Sequence, residues 1–527
     1  MLTSLTLPFL ALVAPGLLFS QETSWETIRM DVEVELHPDQ ARLEGGATLI
    51  LRPMDAAASW IEIEVGEAMI LGEMEAAAGD RDVIVERDSS GMQATLRFDH
   101  PVAESEEIEL RVAFASVGRG SQMVVDGAAA FASWARTWYP IAGSYRAPGT
   151  TRISMPRTWR AVASGGLTDR SEHGERAVET WTSERPLARS FAAGPNAVET
   201  RSVGDREVGV YLLSHRDRAD ELAAALADVM AALEARFGRY PYPGYALAEV
   251  PTELAEWTGS SEQGFFMARA DAIDGPVNNP LLSHELAHGW WGNWVRAVDP
   301  GALVVGEALA QYGAVLAIEA MEGREAAVEF LRFSREGYNP IQSARGFWAM
   351  KLAGQDLPLS ELSGGGWQHN LADAKGHWVY DMIRRELGDE RFFGALREVL
   401  EVHGDRALSL PELRRFFVAA APDAAEMEGF LTQWLDWTGA PVLDVGWEDA
   451  SEDGRHAAAL TIRQRTPNPY RLRIPIGIQS AAGLRVHQIE LTEPTTRLVL
   501  EADGPPTGVV ENVGHPLLLW EAAYCPE

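Results

Sequence analysis

The sequence predicts a multidomain α+β protein, with an antiparallel β domain first, a mostly helical domain next and a small β domain last. Three observations predict it. Apolar residues alternate with period two across residues 22–203, recur at helical spacing across 204–440, and return to alternation across 441–527. The chain of 527 residues is 46% hydrophobic and 23% charged, which is enough for several cores. No internal repeat or low-complexity linker interrupts this order.

The elements follow in turn. Residues 1–20 are apolar and precede the polar stretch Gln21–Ser24, so they read as a signal peptide, although a basic start is missing and Pro8 and Pro15 interrupt them. Export to the periplasm or the medium is the expectation. In the first domain Arg29–Leu36 alternates strictly. Ala47–Leu51, Ile61–Val65 and Ile108–Phe114 alternate in part, and Asp/Gly/Ser clusters separate them. From Val208 the pattern changes. Val208–Leu213 is a short strand. Asp217–Phe237 carries an apolar helical stripe that stops at Gly238 and at the prolines of Phe237-Gly-Arg-Tyr-Pro-Tyr-Pro243. Tyr245–Val250 and Gly264–Ala268 read as strands. Helices are expected over Pro280–Asn293, from Val305 past Ala320, and over Glu325–Arg335, Trp378–Glu386, Glu390–Val402 and Leu410–Ala419. Ala457–Ile462, Arg471–Ile478 and Arg497–Glu501 predict a closing β-sandwich.

Composition narrows the chemistry. A formal net charge of −32 argues against nucleic acid as a partner, since phosphate binding needs a basic surface. Cys525 is the one cysteine, so no disulfide forms within the chain and any metal must use histidine and carboxylate ligands. Past the N-terminal segment no continuous run reaches the roughly 18 apolar residues of a membrane span, and none is expected.

Within Ser283–Trp294 lies His284-Glu285-Leu286-Ala287-His288, an H-E-x-x-H. On a helix, residues four apart share a face, so His284 and His288 can point two imidazoles at one ion. Glu285 is then placed to reach a water on that ion. A catalytic zinc takes three protein ligands and keeps a fourth position open. Glu307, nineteen residues after His288 on the next expected helix, supplies the third. One Zn2+ per chain follows, with Glu285 as general base for hydrolysis. Trp290, Trp291 and Trp294 read as packing around the site, and Asn293 after Gly292 as a turn at the helix end.

The stretch H-E-L-A-H-G-W-W-G-N-W with Glu307 resembles the gluzincin aminopeptidases of the aminopeptidase N type. The similarity extends to F-G-R-Y-P-Y-P before the site and to Lys375-Gly376 followed by M-I-R-R-E-L-G-D-E-R-F-F. It implies a saddle-like β domain, a thermolysin-like zinc catalytic domain over 204–440, and a peptide substrate cut at its N-terminal residue. The family's long C-terminal helical superhelix is replaced here by the short β segment.

Two family motifs are altered. The family's G-x-M-E-N, whose Glu binds the substrate's free α-amine, corresponds here to Gly259-Ser260-Ser261-Glu262-Gln263. The resemblance thus assigns substrate binding to Gly259, Glu262 and Gln263, with Glu262 as the anionic anchor. The family's Y-x-K-G, whose tyrosine stabilises the tetrahedral oxyanion, places Asp373 at the tyrosine's position. A carboxylate repels a developing oxyanion, and loss of one such donor costs roughly 10²–10³ in rate. Tyr312, Tyr338, Tyr380, His369 and His377 are candidate replacements that the sequence does not choose among. Three readings stay open: an aminopeptidase, a zinc-binding homologue with weak or lost peptidase activity, and a zinc hydrolase acting on N-blocked or non-peptide substrates.

Overall fold

The computed structural model describes residues 25–524, apart from Asp55, Gln122 and 135–137. The expected signal peptide and Cys525 lie outside the described residues. The chain divides into two compact units, one ending at Trp294 and one beginning at Val295.

The first unit starts with a seven-stranded sheet built around Trp25–His37. Met30, Val32, Val34 and Leu36 alternate into the core on this strand, each 3% exposed or less. Full burial of such side chains stabilises by about 1.5–3 kcal/mol each. The strand pairs antiparallel with Arg42–Pro53 but parallel with Ala147–Pro156. The expectation of an antiparallel β domain therefore holds for most of this region and not for that pair. A chain segment of about a hundred residues separates the two strands, long enough to return in the same direction. Smaller sheets of three and four strands complete the region.

A five-stranded sheet follows. Arg206–Leu212, Gly244–Val250 and Phe265–Arg269 run parallel, with Ala197–Val203 and Gly259–Glu262 antiparallel at the two edges. Helix Ala219–Phe237 makes the crossover between the first two parallel strands. It buries Leu222, Leu226, Val229, Met230, Leu233 and Phe237, one stripe at helical spacing. The edge hairpin turns tightly at Gln263 and Gly264, where Gly264 has φ +101°, a conformation that needs glycine. Helix Asn279–Ala287 ends this unit. It begins at Asn278, whose side chain accepts from Leu281 N, and is fully buried from Pro280 on.

The second unit is helical and then β. Leu309–Glu322, Arg324–Phe333, His377–Leu387, Asp389–His403 and Leu410–Ala420 match the expected helices to within two residues at their shared ends, the first being extended backwards by a π-helical turn, Val304–Ala308. Ala344–Leu352, Trp367–Leu371 and Ala424–Leu431 are further helices. By length and composition Val304–Glu322 resembles a membrane span, but 83% of its apolar window is buried as a core helix. Two three-stranded antiparallel sheets close the chain, with Leu460, Ile462, Ile474, Ile476 and Ile478 buried.

Candidate metal centre

Helix Asn279–Ala287 presents His284 and His288 one turn apart, both buried. The helix is shorter than the expected Pro280–Asn293. His288 still has helical dihedrals, but the chain then turns, and Gly292 adopts φ +101°. Gly289 allows that turn to press against Tyr240, whose ring lies 2.2 Å from where a Cβ would stand. His288 Nδ1 lies 3.1 Å from the Trp291 carbonyl oxygen. Donation to that carbonyl fixes the tautomer and leaves the Nε2 lone pair for another partner. That Nε2 is 3.2 Å from His284 Nε2. A tetrahedral ion with bonds of about 2.05 Å has a ligand–ligand edge of about 3.3 Å. The separation of the two ring nitrogens thus matches one edge of a zinc coordination tetrahedron.

Glu285 is fully buried beside them. Its carboxylate lies across Gly259, where a Cβ would sit 3.4 Å from Oε1. The absence of a side chain at Gly259 thus sets where Glu285 can lie. Ser261 Oγ donates to the Glu285 carbonyl oxygen at 3.1 Å, pinning the edge strand to the helix. Asn293 ties the same strand to the turn, with Nδ2 donating to the Glu262 carbonyl at 3.3 Å, while Arg146 Nη1 donates to the Asn293 carbonyl at 2.6 Å.

Glu262 ends the edge strand and is fully enclosed. Ser190 Oγ donates to Oε2 at 2.5 Å and Ser260 Oγ to Oε1 at 2.8 Å. Burial is the largest influence on its carboxyl and pushes it up to about 7, against these hydrogen bonds. Gln263 is committed to the framework at both ends of its amide: Oε1 accepts from Ala188 N at 2.8 Å and Nε2 donates to Tyr242 Oη at 3.2 Å. The serine set around Glu262 is absent from the sequence reading. Ser190 is distant in sequence and carries no periodic signal.

In the second unit Glu307 sits in the π-helical turn Val304–Ala308 and Asp373 in another, Ala372–Gly376. The two turns pack closely because Gly376 has no side chain: a Cβ there would lie 2.4 Å from that of Ala308. Asp373 is fully buried, and Gln342 Nε2 donates to its Oδ2 at 2.5 Å. Four of the five candidate replacements for the expected tyrosine are engaged elsewhere. Tyr380 Oη donates to the Val304 carbonyl at 2.9 Å, Tyr338 Oη to Gln311 Oε1 at 2.6 Å, and Tyr312 Oη to Asp381 Oδ1 at 3.4 Å. His377 bonds through Nδ1 to the Asp373 carbonyl, and burial holds its imidazole down to about 4. The fifth, His369, lies beside Glu307 and Asp373, with Nε2 3.7 Å from Glu307 Oε2 and 3.3 Å from Asp373 Oδ2.

No protein-family model matches the chain, and no curated protein sequence matches it. Among solved structures it is similar to a mutant M1 zinc metallopeptidase from Deinococcus radiodurans bound to a Tyr-Ser-Ala substrate. Identity is 18% and the TM-score 0.61, with 78% of this chain and 94% of that chain covered. The likeness is one of fold: a multidomain chain with a large β-sheet N-terminal region followed by helical segments.

Proposed function

We propose that the chain is a zinc-dependent metallopeptidase in which His284, His288 and Glu307 hold the ion and Glu285 is the general base. The observation that carries this reading is the His284–His288 pair, with two ring nitrogens at the spacing of a zinc coordination edge and a buried carboxylate next to them. Zinc bound there supplies Lewis acidity, bringing a water toward a pKa of about 7 and polarising a carbonyl. The Trp291 carbonyl orients the His288 ring. Gly259 leaves room for Glu285 to take a proton and return it to the leaving amine.

Within that reading we infer an aminopeptidase, with Glu262 as the anchor for a substrate ammonium. The resemblance of Gly259–Gln263 to the family's amine-binding motif supports it. The enclosure of Glu262 favours a second reading, a zinc hydrolase whose substrates lack a free amine. A carboxyl that is half neutral near pH 7 and already accepts from the side chains of Ser190, Ser260 and Ser133 and from the Trp134 backbone is a weak ammonium anchor. Export of the protein, by cleavage after the apolar residues 1–20, belongs to the same proposal.

The test is hydrolysis of matched free and N-acetylated aminoacyl and peptide substrates, with and without a chelator. Chelator-sensitive cleavage of the free forms alone supports the aminopeptidase. Equal cleavage of both forms removes Glu262 from the role of anchor. No chelator-sensitive cleavage of any substrate refutes the peptidase.

A further inference from the structure

We propose that Glu307, His369 and Asp373 form a second divalent-cation site, of the zinc class, inside the second unit. Two chain segments bring these ligands to one point. Glu307 comes from the π-helical turn Val304–Ala308 and His369 from helix Trp367–Leu371. Asp373 comes one helical turn after His369. Their ligand atoms all lie within 4.8 Å of one another, and all three residues are buried.

The spacing is that of a coordination shell. His369 Nε2 stands 3.3 Å from Asp373 Oδ2 and 3.7 Å from Glu307 Oε2. These values bracket the roughly 3.3–3.5 Å edge of a tetrahedron with bonds of about 2.1 Å. The bland alternative is an imidazolium paired with two carboxylates. His369, however, is 4% exposed, and among the described residues neither of its ring nitrogens finds a hydrogen-bond partner. A buried imidazole is normally satisfied by partners, and an ion at this point would take the Nε2 lone pair. Asp373 has the support expected of a ligating carboxylate, since the buried Gln342 Nε2 donates to its Oδ2. An ion also neutralises two carboxylates enclosed together. A nitrogen and two carboxylates, with no sulfur, suit Zn2+ or a similar borderline ion rather than Cu(I).

The site accounts for the aspartate that stands where the resemblance expects a tyrosine: Asp373 is a ligand there. In its catalytic use the inference rests on the function proposed above. Glu307 is shared with the ligand set proposed above, so its substitution would remove a ligand from both. Glu307, His369 and Asp373 all belong to the second unit.

The experiment is zinc stoichiometry of the full chain, by native mass spectrometry and by elemental analysis after desalting, for the wild type and for His369→Gln, Asp373→Asn and His284→Ala. The expected result is two ions per chain in the wild type and one in each variant. One ion in the wild type, lost in His284→Ala and kept in His369→Gln, overturns the second site and leaves the proposed function standing. Two ions retained by both His369→Gln and Asp373→Asn also overturn it. Should those variants fail to fold, the wild-type count decides: a single zinc mass increment at saturating zinc refutes the proposal. Two ions in His284→Ala would instead count against the first ligand set.

Discussion

Replacing Glu262 by glutamine removes a buried charge while keeping the shape and an oxygen for the serine hydroxyls. Burial raises this carboxyl from an ordinary value of 4.5 to about 7. At 1.36 kcal/mol per pKa unit, that shift is worth about 3 kcal/mol. The sign follows from linkage. A raised folded-state value means the folded protein prefers the protonated form, so this stability is complete below pH 4.5 and is lost as pH rises through about 7. The wild type therefore bears the full cost of an ionised Glu262 at pH 8 and little of it at pH 4.5. Glu262→Gln abolishes that dependence. The stability of the variant relative to the wild type should improve by about 3 kcal/mol between pH 4.5 and pH 8. Urea unfolding of both proteins, with the same probe of the first unit at each pH, measures it. A relative stability that is flat to within about 0.5 kcal/mol would refute the reasoning, because it would mean the hydrogen bonds from Ser190, Ser260, Ser133 and the Trp134 backbone fully offset the burial.

Other expectations follow from the same geometry. Glu285→Gln should lower kcat by about 10²–10⁴ with zinc content unchanged, as for loss of a general base, and elemental analysis beside steady-state kinetics separates the two effects. Gly259→Val pushes branched carbons against the Glu285 carboxylate, which is 3.4 Å from even the first of them. A fall in kcat of about 10²-fold at unchanged zinc content is expected from a displacement of about 1 Å. Gly376→Ala forces a methyl to within 2.4 Å of the Ala308 Cβ, next to Glu307. It should destabilise by about 1–3 kcal/mol and weaken zinc in chelator competition. Gly394→Ala, a helix glycine with nothing within 4 Å of an added Cβ, is the matched control and should stabilise by about 0.4–1 kcal/mol. Stripping zinc should lower the melting temperature, and restoring the free ion to a hundredfold above its Kd should return about 2.7 kcal/mol.

Elements whose pattern is local were legible in the sequence. Arg29–Leu36 alternates because one face of its strand is buried, and Asp217–Phe237 shows a helical stripe because one face lies on a sheet. Elements decided by distant packing were not. The parallel pairing of Trp25–His37 with Ala147–Pro156 depends on a long return of the chain that no window contains. Trp367–Leu371 is too short for its period to register and follows three glycines. Helix Asn279–Ala287 gives way to a turn in which Gly289 lies against Tyr240, a contact across almost fifty residues.

At the site, the distinction between local and distant signals falls within single motifs. His284, Glu285 and His288 were legible because one helical turn relates them. Glu262 was legible as a carboxylate at the right place in a motif, but its enclosure was not, because Ser190 comes from a connection 72 residues away in sequence. Asp373 was legible as a departure from the family's tyrosine, but its place beside His369 and Glu307 was not. An α-helical projection places residues at 100° steps, but a π-helical turn holds one extra residue and rotates all that follows by about that angle. Both Glu307 and Asp373 lie in such turns, packed against each other through Gly376. The direction of their side chains is therefore set by paired local distortions, each stabilised by the other. Read alone, Asp373 was a lost hydroxyl. Beside His369 and Glu307 it is one of three buried groups whose ligand atoms lie within 4.8 Å of one another.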